Sequence, residues 1–274
     1  MKKILVAAVV TAMFGVAQAQ STIAVSGSIA VSMQNSMAAT SNVLDLSDAD
    51  INFSATEDLG AGMKINVSTS LTNEGLRGNA VTANNTVMKL TTGFGTITAF
   101  NGLVGSAKLS AGVSVEDDMH DLMGGYSTNN TFNITSAPVA GFTVGAEYEA
   151  DDATRLSVAG KPNIIVGWAG AGATVRYENG GTANVHDVRA TYKFGIAKVG
   201  ARWTNNNRRE VTIAAPVGPL EVGYHYATNG SDNANGIVAA YALSKRTTAS
   251  ANYVTGTGNG FDGSNYRVML KHTF

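Results

Sequence analysis

Tyr266-Arg267-Val268-Met269-Leu270-Lys271-His272-Thr273-Phe274 closes the chain. Tyr266, Val268, Leu270, His272 and Phe274 share one parity, and Arg267, Met269, Lys271 and Thr273 share the other. Successive side chains of a β-strand point to opposite faces, so parity decides which face each occupies. One face here is mostly apolar and the other carries two basic residues. Such a strand suits a wall with lipid on one side and water on the other. Its position at the end also matters, because a closed barrel seals its last strand against its first.

The alternation continues outward from this segment. Ile23, Val25, Gly27, Ile29, Val31 and Met33 alternate with Thr22, Ala24, Ser26, Ser28, Ala30 and Ser32. A helix would instead place its apolar residues at i, i+3 and i+4. Ala49–Ala55 alternates next, turns at Glu57–Gly62 and returns through Met63, Ile65 and Val67. Met88 and Leu90 lead to the turn Gly93-Phe94-Gly95, with Ile97 and Ala99 beyond it. In the second half, hairpins are centred near Pro138–Gly141, Gly170–Gly172, Gly195, Pro216–Pro219 and Ser244–Thr247. Gly102–Gly125 is the least strand-like connection, and Ala107–Val115 within it reads either as an extra strand or as part of a loop.

The reading is all-β: a transmembrane antiparallel β-barrel of about sixteen strands, with short turns alternating with longer loops. Strands of about ten residues, tilted about 40°, span the roughly 25 Å apolar band of an outer membrane. A soluble β-sandwich is the alternative, since it is also built of alternating strands. It would call for more Leu, Ile and Phe inside, less Gly and more surface charge. Charged residues make up only 14% of this chain, against about 25% in soluble domains.

Met1–Ala19 has Lys2 and Lys3, an apolar run from Ile4 to Val16, and Ala17-Gln18-Ala19 before Gln20. This is the pattern of a secretory signal with a small-residue cleavage site, so residues 20–274 are expected to form the barrel domain. Removing Lys2 and Lys3 from 19 basic residues leaves 17 against 20 acidic ones, a net charge of −3. That balance argues against a nucleic-acid partner. There is no cysteine, so an exported chain has not used disulfides.

Register places the charges. Lys64, Lys89, Glu147, Arg176, Arg189, Lys193, Lys198, Arg202, Glu221, Arg267 and Lys271 take the parity opposite to the apolar residues, and so face the lumen. A one-residue slip would turn a strand's charges into lipid, where a basic residue at the midplane costs about 2–4 kcal/mol.

Several stretches resemble the general diffusion porins of Gram-negative outer membranes, especially the beta-proteobacterial type. Thr56-Glu57-Asp58-Leu59-Gly60-Ala61-Gly62-Met63-Lys64 and Gly93-Phe94-Gly95-Thr96-Ile97-Thr98 look like the first two periplasmic turns. Ala140–Tyr148, Tyr241-Ala242-Leu243-Ser244-Lys245-Arg246-Thr247 and the terminal Lys271-His272-Thr273-Phe274 complete the match in order along the chain. The resemblance implies a homotrimer of sixteen-stranded channels in outer-membrane lipid, passing small hydrophilic solutes without a cofactor. It also implies that Phe274 is the signal read by the barrel-assembly machinery. The third loop, with Glu116, Asp117, Asp118 and Asp121, would fold into the lumen. There it would face a basic patch of Arg176, Arg189 and Arg202, giving a modest preference for anions. The chain departs from the family in its shortness, in Phe100-Asn101 where Gly-Arg is usual, and in a third loop without the usual Pro and aromatic pattern.

The aromatic distribution points to a subunit contact. Residues 21–115 contain Phe53, Phe94 and Phe100 as their only aromatics, whereas residues 116–274 contain sixteen. Lipid-facing walls need aromatic girdles and a wall against a neighbouring subunit does not. Ile23, Val25, Gly27, Ile29, Val31 and Ile51 are therefore expected at the trimer interface.

Signatures of catalysis are sparse. The sequence has no His-Glu-x-x-His, Gly-x-Ser-x-Gly or phosphate loop, and its four histidines lack metal-ligand spacing. No metal site is expected; Asp48, Asp50 and the run Glu116–Asp121 read as solvated acids. His225, expected beside Glu221 in the lumen, would serve a barrel hydrolase, and a plugged structural or adhesive barrel is the third alternative. A sixteen-strand interior is too wide for side chains alone to fill, which favours an aqueous pathway.

Overall fold

The strand alternation read from the sequence closes into a cylinder in the computed structural model, which describes residues 21–35, 42–72, 81–104, 127–149, 161–180, 184–258 and 263–274. The strands are β1 (Thr22–Asn35), β2 (Asn42–Gly60), β3 (Met63–Thr72), β4 (Thr82–Thr92), β5 (Gly95–Val104), β6 (Ser127–Ser136), β7 (Phe142–Glu149) and β8 (Asn163–Gly170). They continue as β9 (Ala173–Gly180), β10 (Val185–Phe194), β11 (Ala197–Thr204), β12 (Arg208–Val217), β13 (Leu220–Asn229), β14 (Asp232–Ala242), β15 (Thr247–Thr257) and β16 (Gly263–Thr273). Each strand pairs antiparallel with its sequence neighbours, and β1 pairs with β16, so the sheet of sixteen strands has no free edge.

Burial follows parity. On β12, Val211 is 52% and Ile213 45% exposed on the outer face, while Glu210, Thr212 and Ala214 between and beside them are nearly inaccessible on the inner one. Valines, isoleucines and aromatics coat the outside, and mostly polar or small residues line the inside, with Ile165, Val238 and Val254 buried among them. Glu57 and Arg209 take the outward parity, but each stands toward an end of its strand. There the cost of a charge falls to about 0–1 kcal/mol.

The hairpins at one end are short because their backbone is suited to it. β8 and β9 are joined by Ala171-Gly172 alone, with φ of 50° and 78°, and Ala140-Gly141 repeats the pattern at 50° and 85°. Two successive left-handed residues match the twist of the flanking strands, and glycine takes the second position without a Cβ clash.

The seam joins the two ends of the chain. Phe274 N–H donates to the Gly27 carbonyl at 3.0 Å, and Gly27 N–H donates to the Phe274 carbonyl at 3.2 Å. A Cβ on Gly27 would collide with the Phe274 ring and with the Asp50 carbonyl. Gly27 is therefore a socket for the terminal ring, within one subunit, and is itself buried.

β2 is longer than the sequence pattern suggested, beginning at Asn42 rather than near Ala49. Its register against β1 shifts between Ala30 and Val31, so Asp48 and Leu46 face successive β1 residues and Ser47 is extra. A bulge of this kind breaks the period of two on which the sequence reading depends. Residues 1–20 and 105–126 lie outside the described residues. With them lie the expected signal segment, the reading of Ala107–Val115, and Glu116, Asp117, Asp118 and Asp121.

Candidate pore wall

Antiparallel register brings three lumenal arginines into one row. Arg189 on β10 is directly opposite Arg202 on β11 and directly opposite Arg176 on β9. Neighbouring strands lie about 4.8 Å apart, so the row spans about 10 Å. Like charges placed directly opposite repel, and the wall supplies its own counter-charge.

Asp187, two residues before Arg189, is the shared acceptor. Arg189 donates to it through Nε at 3.1 Å and Nη2 at 2.6 Å. Arg202 donates to the same carboxylate through Nε at 3.0 Å and Nη2 at 2.6 Å, and through Nη1 to Glu210 Oε1 at 3.1 Å. Arg208 also pairs with Glu210. Arg176 Nη2 donates to Glu178 Oε2 at 3.1 Å. Four guanidinium groups thus meet three carboxylates, which leaves one positive charge in excess.

The patch is therefore a mixed-charge network, not the purely basic surface the sequence suggested. Glu178, Asp187 and Glu210 were the residues missed. Their signal was present in Arg176-x-Glu178, Asp187-x-Arg189 and Arg208-x-Glu210, because residues two apart on a strand share a face.

The pairing is graded across the row. Side-chain exposure is 6% for Arg202, 11% for Arg189 and 42% for Arg176. The first two are held inside the network and only the third is widely open to the lumen. Lys193 and Lys198, directly opposite each other on β10 and β11, are also exposed, and no ion pair involves them among the described residues.

Other expected lining residues fall on the inner face elsewhere. Lys64 on β3 and Lys89 on β4 lie six or seven strands from β10, on nearly the far side of the ring of sixteen. Both are exposed. Glu147 on β7 accepts from Asn133 Nδ2 at 3.2 Å. His225 is lumenal and buried, but its acidic neighbour is Glu210, whose Oε2 lies 3.6 Å from Nε2. The expected neighbour Glu221 pairs instead with Pro216 and Ala240, nearer the other end of β13. No group of three or more metal-binding side chains is present among the described residues.

The expected contact residues lie on the outer face, with exposures of 77% for Ile23, 58% for Val25, 46% for Ile29, 43% for Val31 and 41% for Ile51. Gly27 departs from this set because Phe274 of the same chain covers it.

Known proteins share this architecture. An engineered triple mutant of the Rhodopseudomonas blastica porin superposes with a TM-score of 0.68 at 15% identity, over 92% of this chain and 100% of that one. An anion-selective porin from Comamonas acidovorans gives a TM-score of 0.65 at 20% identity, over 93% of this chain and 100% of that one. A search of curated proteins found no match. The family model described as Gram-negative porin matches residues 5–260. The chain belongs to the Gram-negative porin family.

Proposed function

We propose that this protein is an outer-membrane channel for passive diffusion of small hydrophilic solutes and ions, with a modest preference for anions. The observation that carries the reading is the closed sixteen-strand cylinder with an apolar outside and a charged inside. A barrel of this strand number leaves an aqueous path. Transport by diffusion asks nothing of the wall beyond shape and charge, so neither a cofactor nor a catalytic group enters the account.

The anion preference rests on which charges a passing ion meets. The network leaves one positive charge in excess on β9–β12, and Lys193 and Lys198 add two exposed cations below it. Wall charges act over a screening length of about 8 Å at physiological salt, and a low-dielectric wall strengthens them. The similar Comamonas protein is an anion-selective porin, which supports the same sign here.

The channel is proposed to work as a homotrimer joined through the outer face of β1–β5. Its aliphatic side chains, with Phe53 as the aromatic on β2, suit a protein neighbour better than a lipid interface. Residues 1–19 act as the export signal and Phe274 as the mark for barrel assembly. The test is insertion of purified protein into a planar bilayer. Stepwise conductance increments in KCl are expected; a folded barrel that gave none would contradict the reading and favour a plugged barrel.

A further inference from the structure

We propose that a hollow beside Arg176 is a binding step for small organic carboxylates crossing the lumen. The inference rests on the channel reading and adds a ligand class to it.

Of the three arginines in the row, Arg176 alone combines exposure with spare donors. Its one acceptor among the described residues is Glu178, reached through Nη2; Nη1 makes no hydrogen bond there, on a side chain that is 42% exposed. Arg189 and Arg202 are each held by two hydrogen bonds to Asp187, and Arg202 by a third to Glu210.

The wall next to Arg176 is cut away. Its partner on β8 is Gly167, and the partner of Gly167 on β7 is Thr143. A Cβ at position 167 would lie 2.7 Å from Thr143 Oγ1, so a side chain there would crowd the hydroxyl and fill the space. What remains is a hollow of about 670 Å³ lined by Thr135, Thr143, Ile165, Gly167 and Arg176, among others.

Its chemistry is divided in the way a carboxylate with a short aliphatic body requires. Arg176 offers N–H donors in the fork geometry that matches a carboxylate. Thr143 adds a hydroxyl for which no hydrogen bond is made among the described residues, while the Thr135 hydroxyl is occupied in donating to Asn133 Oδ1 at 2.7 Å. Most of the hollow's remaining surface is apolar, although Ile165 itself is nearly enclosed. Chloride or phosphate has no use for that surface, whereas the methylenes of butyrate do. Binding must stay weak for passage to continue, so a short residence on the wall is the expected behaviour.

The test is block of KCl current by butyrate, with chloride of equal ionic strength as the reference. Butyrate should reduce the parent's single-channel current in a saturable way, and acetate should do so less. Arg176→Gln should raise the half-blocking concentration about fivefold or more, and Thr143→Val about twofold. Arg209→Gln removes a charge from the outer face and should leave the half-blocking concentration unchanged. Line broadening of butyrate by the detergent-solubilised protein gives a second readout that needs no conductance. A conducting parent with no saturable block and no broadening would overturn this proposal alone. Equal shifts in Arg176→Gln and Arg209→Gln would overturn it too, by reducing it to net charge. A parent that broadens butyrate but does not conduct would instead count against the channel reading.

Discussion

The walls β1–β5 and β8–β13 are made from the same kind of strand and finished differently. The first has the tall pair β1 and β2, of 14 and 19 residues, and an outer face of Ile23, Val25, Ile29, Val31, Ile51 and Phe53. The second includes strands of only eight residues, and carries Trp168, Tyr177, Tyr192, Phe194, Trp203, Tyr224 and Tyr226 on its outer parity. Phe142 and Trp168 are cross-strand neighbours with ring centroids 6.4 Å apart, and Tyr177 stacks on His186 at 6.1 Å. Amphipathic rings belong where a wall meets headgroups. The inner faces differ as well, since β9–β12 carry the charge network around Asp187 and Glu210. In the proposed trimer, one wall would face a protein neighbour, and the other lipid outside and ions inside.

The largest expected effect of breaking this contrast is on stability. Asp187 holds both Arg189 and Arg202, and its side chain is 9% exposed. Removing one partner of a buried ion pair costs about 3–5 kcal/mol. Asp187→Asn should therefore lower the stability of the refolded barrel in urea by about 3 kcal/mol, whereas Lys64→Gln on the opposite wall should cost less than about 1 kcal/mol. Similar losses in both variants would show that the network is not the rigid part of the cylinder.

The seam comes next. Gly27→Ala places a methyl against the Phe274 ring and the Asp50 carbonyl, and overpacking of this kind costs about 1–3 kcal/mol. The heat-modifiable folded form should fall in Gly27→Ala and fall further on deletion of Phe274. Normal folding of both would remove the terminal residue from the closing of the barrel.

The subunit contact can be tested cleanly because the chain has no cysteine. Cysteines at Val25 and Ile51 should crosslink between subunits, and those at Tyr192 and Trp203 should not. The reverse result would exchange the roles of the two walls.

Much of this was legible in the sequence because one period decided it. All sixteen strands follow from alternation, and register alone put Arg176, Arg189 and Arg202 on the inner face. What alternation could not show was which partner each arginine takes. Asp187 reaches Arg202 across a strand boundary, and that contact depends on the β10–β11 register. The outer half of β2 was hidden for a related reason, since the extra Ser47 changes parity in mid-strand. The hollow beside Arg176 was invisible because it is made by what Gly167 lacks.

The smallest effect in energy bears most directly on the central claim, which is a water-filled lumen whose reachable charge is positive and lies on β9–β11. It is the reversal potential across a tenfold KCl gradient. The parent should show the sign of a modest anion preference, and the preference should weaken at high salt. Arg176→Gln combined with Lys193→Gln and Lys198→Gln should move the potential toward zero or past it. Arg202→Gln should move it less than the triple variant does, because it removes one charge and that guanidinium is enclosed by Asp187 and Glu210. A cation-selective parent, or a triple variant with the parent's potential, would contradict the account.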